Sequence, residues 1–364
     1  MNKICGRYIV ERVIGAGSFS VVKQVMDIQT GDHFACKIFE ISNFGNSMVM
    51  SQFENEVRIL QQIQHDGVVK LYGLYKDSSF YYLIMELCPN GELFDYIVQN
   101  QRLSELETKY YLRQMLEALQ YIHSIGIVHR DIKPENLLID AYGKIKISDF
   151  GLSRFVDSKG LADTPCGSIC YASPECIRGK VYDGRKSDIW SVGVVTYAML
   201  TGVLPWTKSN QTQLIEQIMN ADFVVPQFVS EDARNLIIRL LDPDPDKRIT
   251  ISQALQHNFI TSAPNHKSYK TYSKSLPISL KYIDRFFGRD KSEIIIEEKE
   301  LSRSYSSVKR GFETTVKDIE PKKERNTARE TGKRLVFRVQ PLPFQGVDRG
   351  ENIQKRITLP RVNR

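Results

Sequence analysis

The feature that most constrains the fold of this chain is a change of hydrophobic period part-way along it. Across residues 8–39 the apolar runs are β-branched or aromatic: Tyr8-Ile9-Val10, Val21-Val22-Lys23-Gln24-Val25 and Phe34-Ala35-Cys36-Lys37-Ile38-Phe39, with Gly and Asp between them. Residues 53–64 switch to a period near 3.6, and 68–75 and 80–86 return to strand character. From Ser104 onward the pattern is mainly helical. Ser104-Glu105-Leu106-Glu107 has the form of a capping box, and Leu112, Met115, Leu116, Leu119 and Ile122 follow at helical spacing. Two short strand-like pieces, 136–139 and 144–147, precede further helices near 187–201, 211–219, 230–241 and 250–257. Such a chain folds as α+β: a small β-rich lobe (about 8–87) with one key helix, a larger helical lobe (about 88–260), and a cleft between them.

Charge divides the chain differently. From Thr261 to the end there are 24 Lys and Arg against 13 Asp and Glu, net +11, which leaves the first 260 residues at −4 out of the overall +7. A basic nucleic-acid-binding surface on the fold is therefore not expected. Residues 261–364 read as a basic, largely disordered tail, broken by short apolar islands at 282–287, 294–296 and 335–339 that leave room for one docking helix. No apolar run approaches the length of a membrane span, and neither a transmembrane segment nor a secretory signal is expected. The six cysteines all precede residue 180 at spacings that suggest neither a disulfide framework nor zinc ligands, so a reducing compartment, cytosol or nucleus, is expected. Cys166 and Cys170 read better as two unrelated thiols than as a redox switch.

Three features carry chemistry. Gly15-Ala16-Gly17-Ser18-Phe19-Ser20 is a glycine-rich turn between two strand-like runs. A dinucleotide fold requires a helix directly after the glycines, so a hairpin is the reading, either lying over phosphates or merely at the surface. Lys37 stands inside an apolar strand, where a lone ammonium is costly. Glu56 is a carboxylate within the helical stripe Phe53, Val57, Leu60 and Ile63, and Lys37 is its natural partner. Finally, His129-Arg130-Asp131-Ile132-Lys133-Pro134-Glu135-Asn136 crowds polar groups behind an apolar helix, and Asp149-Phe150-Gly151 follows.

Taken in order and spacing, these residues resemble the eukaryotic serine/threonine protein kinases, nearest to the calcium/calmodulin-dependent and AMP-activated-like group, over about residues 8–259. The resemblance implies transfer of the γ-phosphate of Mg-ATP to Ser or Thr hydroxyls of protein substrates. On that template Asp131 is the catalytic base, and Lys133 steadies the γ-phosphate and marks a serine/threonine enzyme. Lys37 contacts the α- and β-phosphates, held by Glu56, while Asn136 and Asp149 hold Mg²⁺. Gly15, Ala16, Gly17, Ser18, Phe19, Ser20 and Val21 would cover the phosphates. Ile14, Val22, Ala35, Met85 and Leu138 would sandwich adenine against the 86–88 hinge, with Glu86 and Cys88 at its ends, and Glu92 would reach the ribose or a substrate residue.

The same template makes Thr164 an activating phosphorylation site for an upstream kinase, with Arg130 as a nearby guanidinium. Glu175 and Arg248 resemble a buried structural ion pair, and Asp188 resembles the carboxylate that anchors the catalytic loop. Glu92 and Glu135 match positions that select basic residues upstream of the phosphoacceptor, although solvated acids would read almost the same. Ser20, Ile132 and Ser173 depart from the family's commonest residues, and none of the three is a metal ligand, phosphate contact or base. The rival is a scaffolding pseudokinase, against which the complete set Lys37, Glu56, Asp131, Lys133, Asn136 and Asp149 argues. The tail is expected to be solvated, or to serve as an autoinhibitor or a regulator's binding element.

Overall fold

The computed structural model describes residues 3–17, 20–42, 47–156, 161–162, 168–179, 181–262, 278, 282–283 and 286–287. Six strands, β1 (Lys3–Ile4), β2 (Tyr8–Ala16), β3 (Ser20–Asp27), β4 (His33–Glu40), β5 (Leu71–Lys76) and β6 (Phe80–Glu86), form one antiparallel sheet in the order β1-β2-β3-β4-β6-β5. Its two faces bury different things. Val25, Cys36 and Ile84 pack with Tyr8 on one side, while Phe39 and Leu83 join the main core. Against that core lies α1 (Ser47–Gln62), presenting Phe53, Val57 and Leu60, all buried. Each fully buried side chain of this size contributes roughly 1.5–3 kcal/mol. Glu56 lies in the same stripe, and burial brings it to the sheet with its neighbours.

The second lobe begins with α2 (Leu93–Asn100) and α3 (Glu105–Ser124). The capping box at Ser104 is formed: the Glu107 N–H donates to Ser104 Oγ at 3.2 Å, and the Ser104 N–H donates to Glu107 Oε2 at 3.0 Å. Three small antiparallel pairs follow, made by β7 (Ile127–Val128), β8 (Leu137–Ile139), β9 (Ile145–Ile147), β10 (Arg154–Phe155), β11 (Leu161–Ala162) and, beyond α4 (Pro174–Ile177), β12 (Tyr182–Asp183). They pair as β7 with β10, β8 with β9, and β11 with β12. Next comes α5 (Gly184–Thr201), which is buried along nearly its whole length and forms the lobe's axis. It stops at Gly202, whose φ is 78° and where a Cβ would fall 1.8 Å from the Gln101 carbonyl oxygen, so no other residue fits. Around it stand α6 (Gln211–Met219), α7 (Glu231–Leu240), α8 (Ile251–Leu255) and α9 (Asn258–Thr261).

The β8–β9 hairpin is fastened to segments that precede it by about fifty residues or more. The Ile147 N–H donates to the Gly67 carbonyl at 2.8 Å and the Val69 N–H to the Ile147 carbonyl at 3.0 Å. At the other strand, the Ile139 N–H donates to Gly91 at 2.9 Å. The ends of β8 and β9 are thereby fixed beneath the first lobe.

The architecture is the expected one, with two local corrections. Residues 134–136 form a single 3₁₀ turn, so the expected strand at 136–139 starts at Leu137. The sequence reading had no helix at α2, because its eight residues bury only Leu93 and Ile97 and offer a single i, i+4 repeat. Within the expected tail, where the island at 282–287 left room for a docking helix, Tyr282, Phe286 and Phe287 contact the first lobe, and Ile283 is fully buried. Among the described residues no helix is long and apolar enough to cross a membrane.

Candidate active site

The glycine-rich turn joins β2 to β3. Gly15 pairs with Val22 and Ala16 with Val21, and the Gly17 N–H donates to the Ser20 carbonyl at 2.7 Å. A strand follows the glycines, as a phosphate-covering hairpin requires; Ser18 and Phe19 lie outside the described residues. Among the expected adenine contacts, Ala35 and Met85 are register partners on β4 and β6, and Val22 lies opposite Lys37. Ile14 is exposed on β2 just before the glycines, and Leu138 is half-buried and bridged to Glu92. The Glu86 N–H already donates to the Lys70 carbonyl at 2.8 Å, so at the first hinge residue that donor is taken.

Lys37 does what its place in an apolar strand demands. Its Nζ lies 2.7 Å from Glu56 Oε1 and 3.1 Å from Asp149 Oδ1. Burial works against the ammonium, but the two carboxylates outweigh it and push its pKa up. Lys37 in turn holds the Asp149 carboxyl below the usual carboxylate range. Burial raises the Glu56 carboxyl and Lys37 pulls it back; with a firmly charged ammonium at 2.7 Å, the pair is ionic. Gly151 stands beside both acids, since a Cβ there would meet Asp149 Oδ1 at 3.4 Å and Glu56 Oε2 at 3.9 Å.

Asp131 occupies the loop between β7 and β8. Its Oδ2 is 2.8 Å from Lys133 Nζ and accepts Asn136 Nδ2 at 3.0 Å, while its Oδ1 accepts the Ser168 N–H at 3.3 Å. Lys133 Nζ also donates to Ser168 Oγ at 3.3 Å. The loop is clamped from below by Asp188, fully buried on α5. It accepts the His129 N–H at 2.9 Å, the Arg130 N–H at 2.7 Å and His123 Nε2 at 2.8 Å. Burial opposes the Asp188 charge, yet these donors bring its pKa below the usual value. The clamp sustains an uncommon backbone: of the five described non-glycine residues with positive φ, two are Arg130 at 70° and Asp149 at 61°. His129 links them, its Nε2 donating to the Ser148 carbonyl at 3.0 Å and its ring meeting Phe150 edge-on at 4.8 Å.

The donor set suits a hard cation. Asn136 Nδ2 donates to the Asp131 carbonyl and carboxylate, which directs its Oδ1 the other way. The Asn136 carbonyl accepts both the N–H and the hydroxyl of Ser148, the residue before Asp149, at 2.9 and 3.0 Å. Among the described residues no group of three His, Cys, Asp or Glu side chains could hold a metal. Amide and carboxylate oxygens in this small number are what Mg²⁺ uses when phosphates and water complete its shell.

Farther out, burial pushes the Glu92 carboxyl up to about 7, helped by the negative charges of Asp95 and Glu135. The Glu135 carboxyl is likewise raised by burial. Glu175 and Arg248 form a two-pronged ion pair at 2.6 and 2.9 Å. Ser173 has a local reason: its hydroxyl caps α4, accepting the Cys176 N–H at 3.3 Å, and meets Ser187 Oγ at 2.9 Å. Thr164 and Cys166 lie outside the described residues.

Sequence reasoning missed three participants. Lys146, fully buried in β9, sets its Nζ 2.7 Å from Glu86 at the hinge; between two isoleucines it passes in sequence for an alternating polar residue. His123 supports Asp188, and Ser168 bridges Lys133 and Asp131; neither carries a signal in sequence.

With the ammonium of residue 37 joined to both acids, and the Asp131 network beside them, the comparison with known families is decisive. The protein kinase domain model matches residues 8–260. The chain belongs to the protein kinase family. It is 37% identical over 300 residues to CBL-interacting protein kinase 33 of Oryza sativa subsp. japonica, covering 81% of this chain and 65% of the relative. It is also 37% identical over 300 residues to CBL-interacting serine/threonine-protein kinase 26 of Arabidopsis thaliana, covering 81% and 67%. This kinase chain thus spans about two thirds of the length of the curated relatives it matches.

Proposed function

We propose that the chain is a serine/threonine protein kinase that transfers the γ-phosphate of Mg-ATP to hydroxyl side chains of protein substrates. The observation that carries this reading is the Lys37 ammonium held between Glu56 and Asp149 at 2.7 and 3.1 Å. A charge desolvated and oriented in this way is built to receive phosphate oxygens. The substrate hydroxyl oxygen attacks the γ-phosphorus, the bond to the bridging oxygen of ADP breaks, and Asp131 accepts the hydroxyl proton. Lys133, 2.8 Å from Asp131, neutralises charge on the phosphoryl group in flight. Asn136 and Asp149 would hold Mg²⁺, which when bound offsets the charge of the phosphates. The hinge backbone at 86–88 and the apolar side chains around it bind adenine.

Two finer readings go with it. Glu92 and Glu135, half-buried acids with raised pKa, supply a site for a basic residue upstream of the phosphoacceptor. Thr164 is a site of activating phosphorylation, with Arg130, next to the catalytic carboxylate, as its partner; equal activity of Thr164→Ala and wild type would count against this. The relatives are named for interaction with CBL, and we extend a regulatory protein partner to this chain on their 37% identity.

The test is phosphate transfer from Mg-ATP to a degenerate peptide library. Incorporation into Ser and Thr, enriched for upstream Arg and abolished by Asp149→Asn, is expected. No incorporation by the wild-type chain, or incorporation indifferent to Asp149, overturns the assignment.

A further inference from the structure

The residues beyond the helical lobe return to the first lobe and meet it at an aromatic cluster. Phe287 packs edge-on against Phe53 with centroids 5.7 Å apart, and Phe286 packs against Tyr81 at 5.6 Å. Lys76 Nζ lies 5.4 Å from the Phe286 centroid, and Tyr282 donates its hydroxyl to the Leu74 carbonyl at 2.6 Å. Ile283, between them in sequence, is fully buried. An aromatic, a buried aliphatic and a diaromatic pair, seated with a directed hydrogen bond, form an interface with a defined register.

What this interface touches matters more than its size. Phe53 stands one helical turn before Glu56 on α1. Its ring also meets Phe39 on β4 at 4.9 Å, and the Lys37 ammonium lies 5.3 Å over that same Phe39 ring. Phe287, Phe53 and Phe39 therefore make a continuous aromatic chain that ends at Lys37, while α1 carries the same push to Glu56. Both partners of the catalytic ion pair rest on one cluster, and the returning segment closes its outer side.

We propose that Tyr282, Phe286 and Phe287, with the buried Ile283 among them, form an intramolecular activating strut: seated on the first lobe, they hold α1 in the position where Glu56 engages Lys37. This rests on the kinase reading of that pair. The sign follows from linkage. A segment that binds one position of a helix better than another shifts the helix towards the position it binds, and here it is seated with the Lys37–Glu56 pair closed at 2.7 Å. The opposite role, an inhibitor in the cleft, would need contacts with cleft residues. The partners seen for its described residues include Phe53, Leu74, Lys76 and Tyr81, outside the cleft.

The test uses the full chain with Phe286→Ala/Phe287→Ala, read by kcat/KM on a fixed Ser peptide and by affinity for a fluorescent ATP analogue, which reports the Lys37 site without turnover. Couplings of this kind change affinity or activity by about 5- to 150-fold. The strut predicts losses of that order in both readouts, restored saturably by a synthetic 278–290 peptide added in trans and not by the same peptide with both alanines. Where the double variant does not fold, Phe287→Leu, which keeps most of the volume, carries the same rescue test. Unchanged or increased activity, or a folded variant that the peptide fails to rescue, overturns the strut. Failure of the wild-type chain to transfer phosphate would overturn the kinase reading instead, and nucleotide affinity would then still decide the strut.

Discussion

Arg248→Ala is expected to be among the most destabilising single changes in the second lobe. The Arg248 side chain is 1% exposed. Its Nη1 and Nη2 meet Glu175 at 2.6 and 2.9 Å, Nη1 also donates to the Lys186 carbonyl at 2.7 Å, and Nε donates to the Asp242 carbonyl at 3.0 Å. The guanidinium also lies 5.1 Å from the Trp190 ring centroid. Truncation leaves a buried carboxylate without its counter-ion and two carbonyls without donors. Breaking one side of such a pair costs about 3–5 kcal/mol. In a domain of this size each kcal/mol lowers the midpoint by roughly 2–4 °C, so thermal unfolding should fall by about 6–20 °C. The paired control is Glu175→Gln/Arg248→Met. With both charges removed, the uncompensated carboxylate is gone and much of the loss should return, because a buried pair and an apolar replacement nearly break even. A loss under about 1 kcal/mol for Arg248→Ala, or a double variant no better than the single, would refute the reasoning.

Asp131→Asn should lower kcat by about a hundred- to ten-thousandfold while leaving the KM for ATP and the melting midpoint nearly unchanged, measured by steady-state transfer and thermal unfolding. Glu92 titrates at about 7 in the free protein, and a bound Arg would favour its charged form. The KM for a peptide with upstream Arg should therefore fall as pH rises from 6 to 8, with no such slope for the Ala peptide or for Glu92→Gln. Asp188→Asn offers one acceptor oxygen where the His129 and Arg130 amides and His123 need two; kcat should fall at least tenfold, with a lowered midpoint in urea unfolding.

Much of this was legible because the decisive residues are misfits. A lysine in a strand and a glutamate in a helical stripe each announce an unmet cost, and their 2.7 Å contact follows from putting the two costs together. The capping box at Ser104 was equally plain, since both of its partners lie within one turn. What stayed hidden has physical reasons. The eight residues of α2 complete too little of a repeat to separate helix from loop. Lys146 looks like an ordinary alternating polar residue until the strand is seen to be covered on both faces. Ser168 and His123 matter only through folded geometry. The apolar island at 282–287 was visible in the tail, but not where it would dock, because that depends on a distant aromatic cluster.

The fastening of β9 to residues 67–69, and of Lys146 to Glu86, puts the mechanical seam of the molecule somewhere other than its sequence boundary. The hairpin that delivers Asp149 is held from both sides: the Ile145 N–H donates to Gln114 on α3 at 3.1 Å, while Ile147 and Lys146 reach up to Gly67 and Glu86. Cutting the gene at residue 87 would therefore yield neither half as an independent folding unit: the upper piece would lose its floor, and the lower would keep a buried ammonium whose remaining acid, Asp140, stands 4.0 Å away.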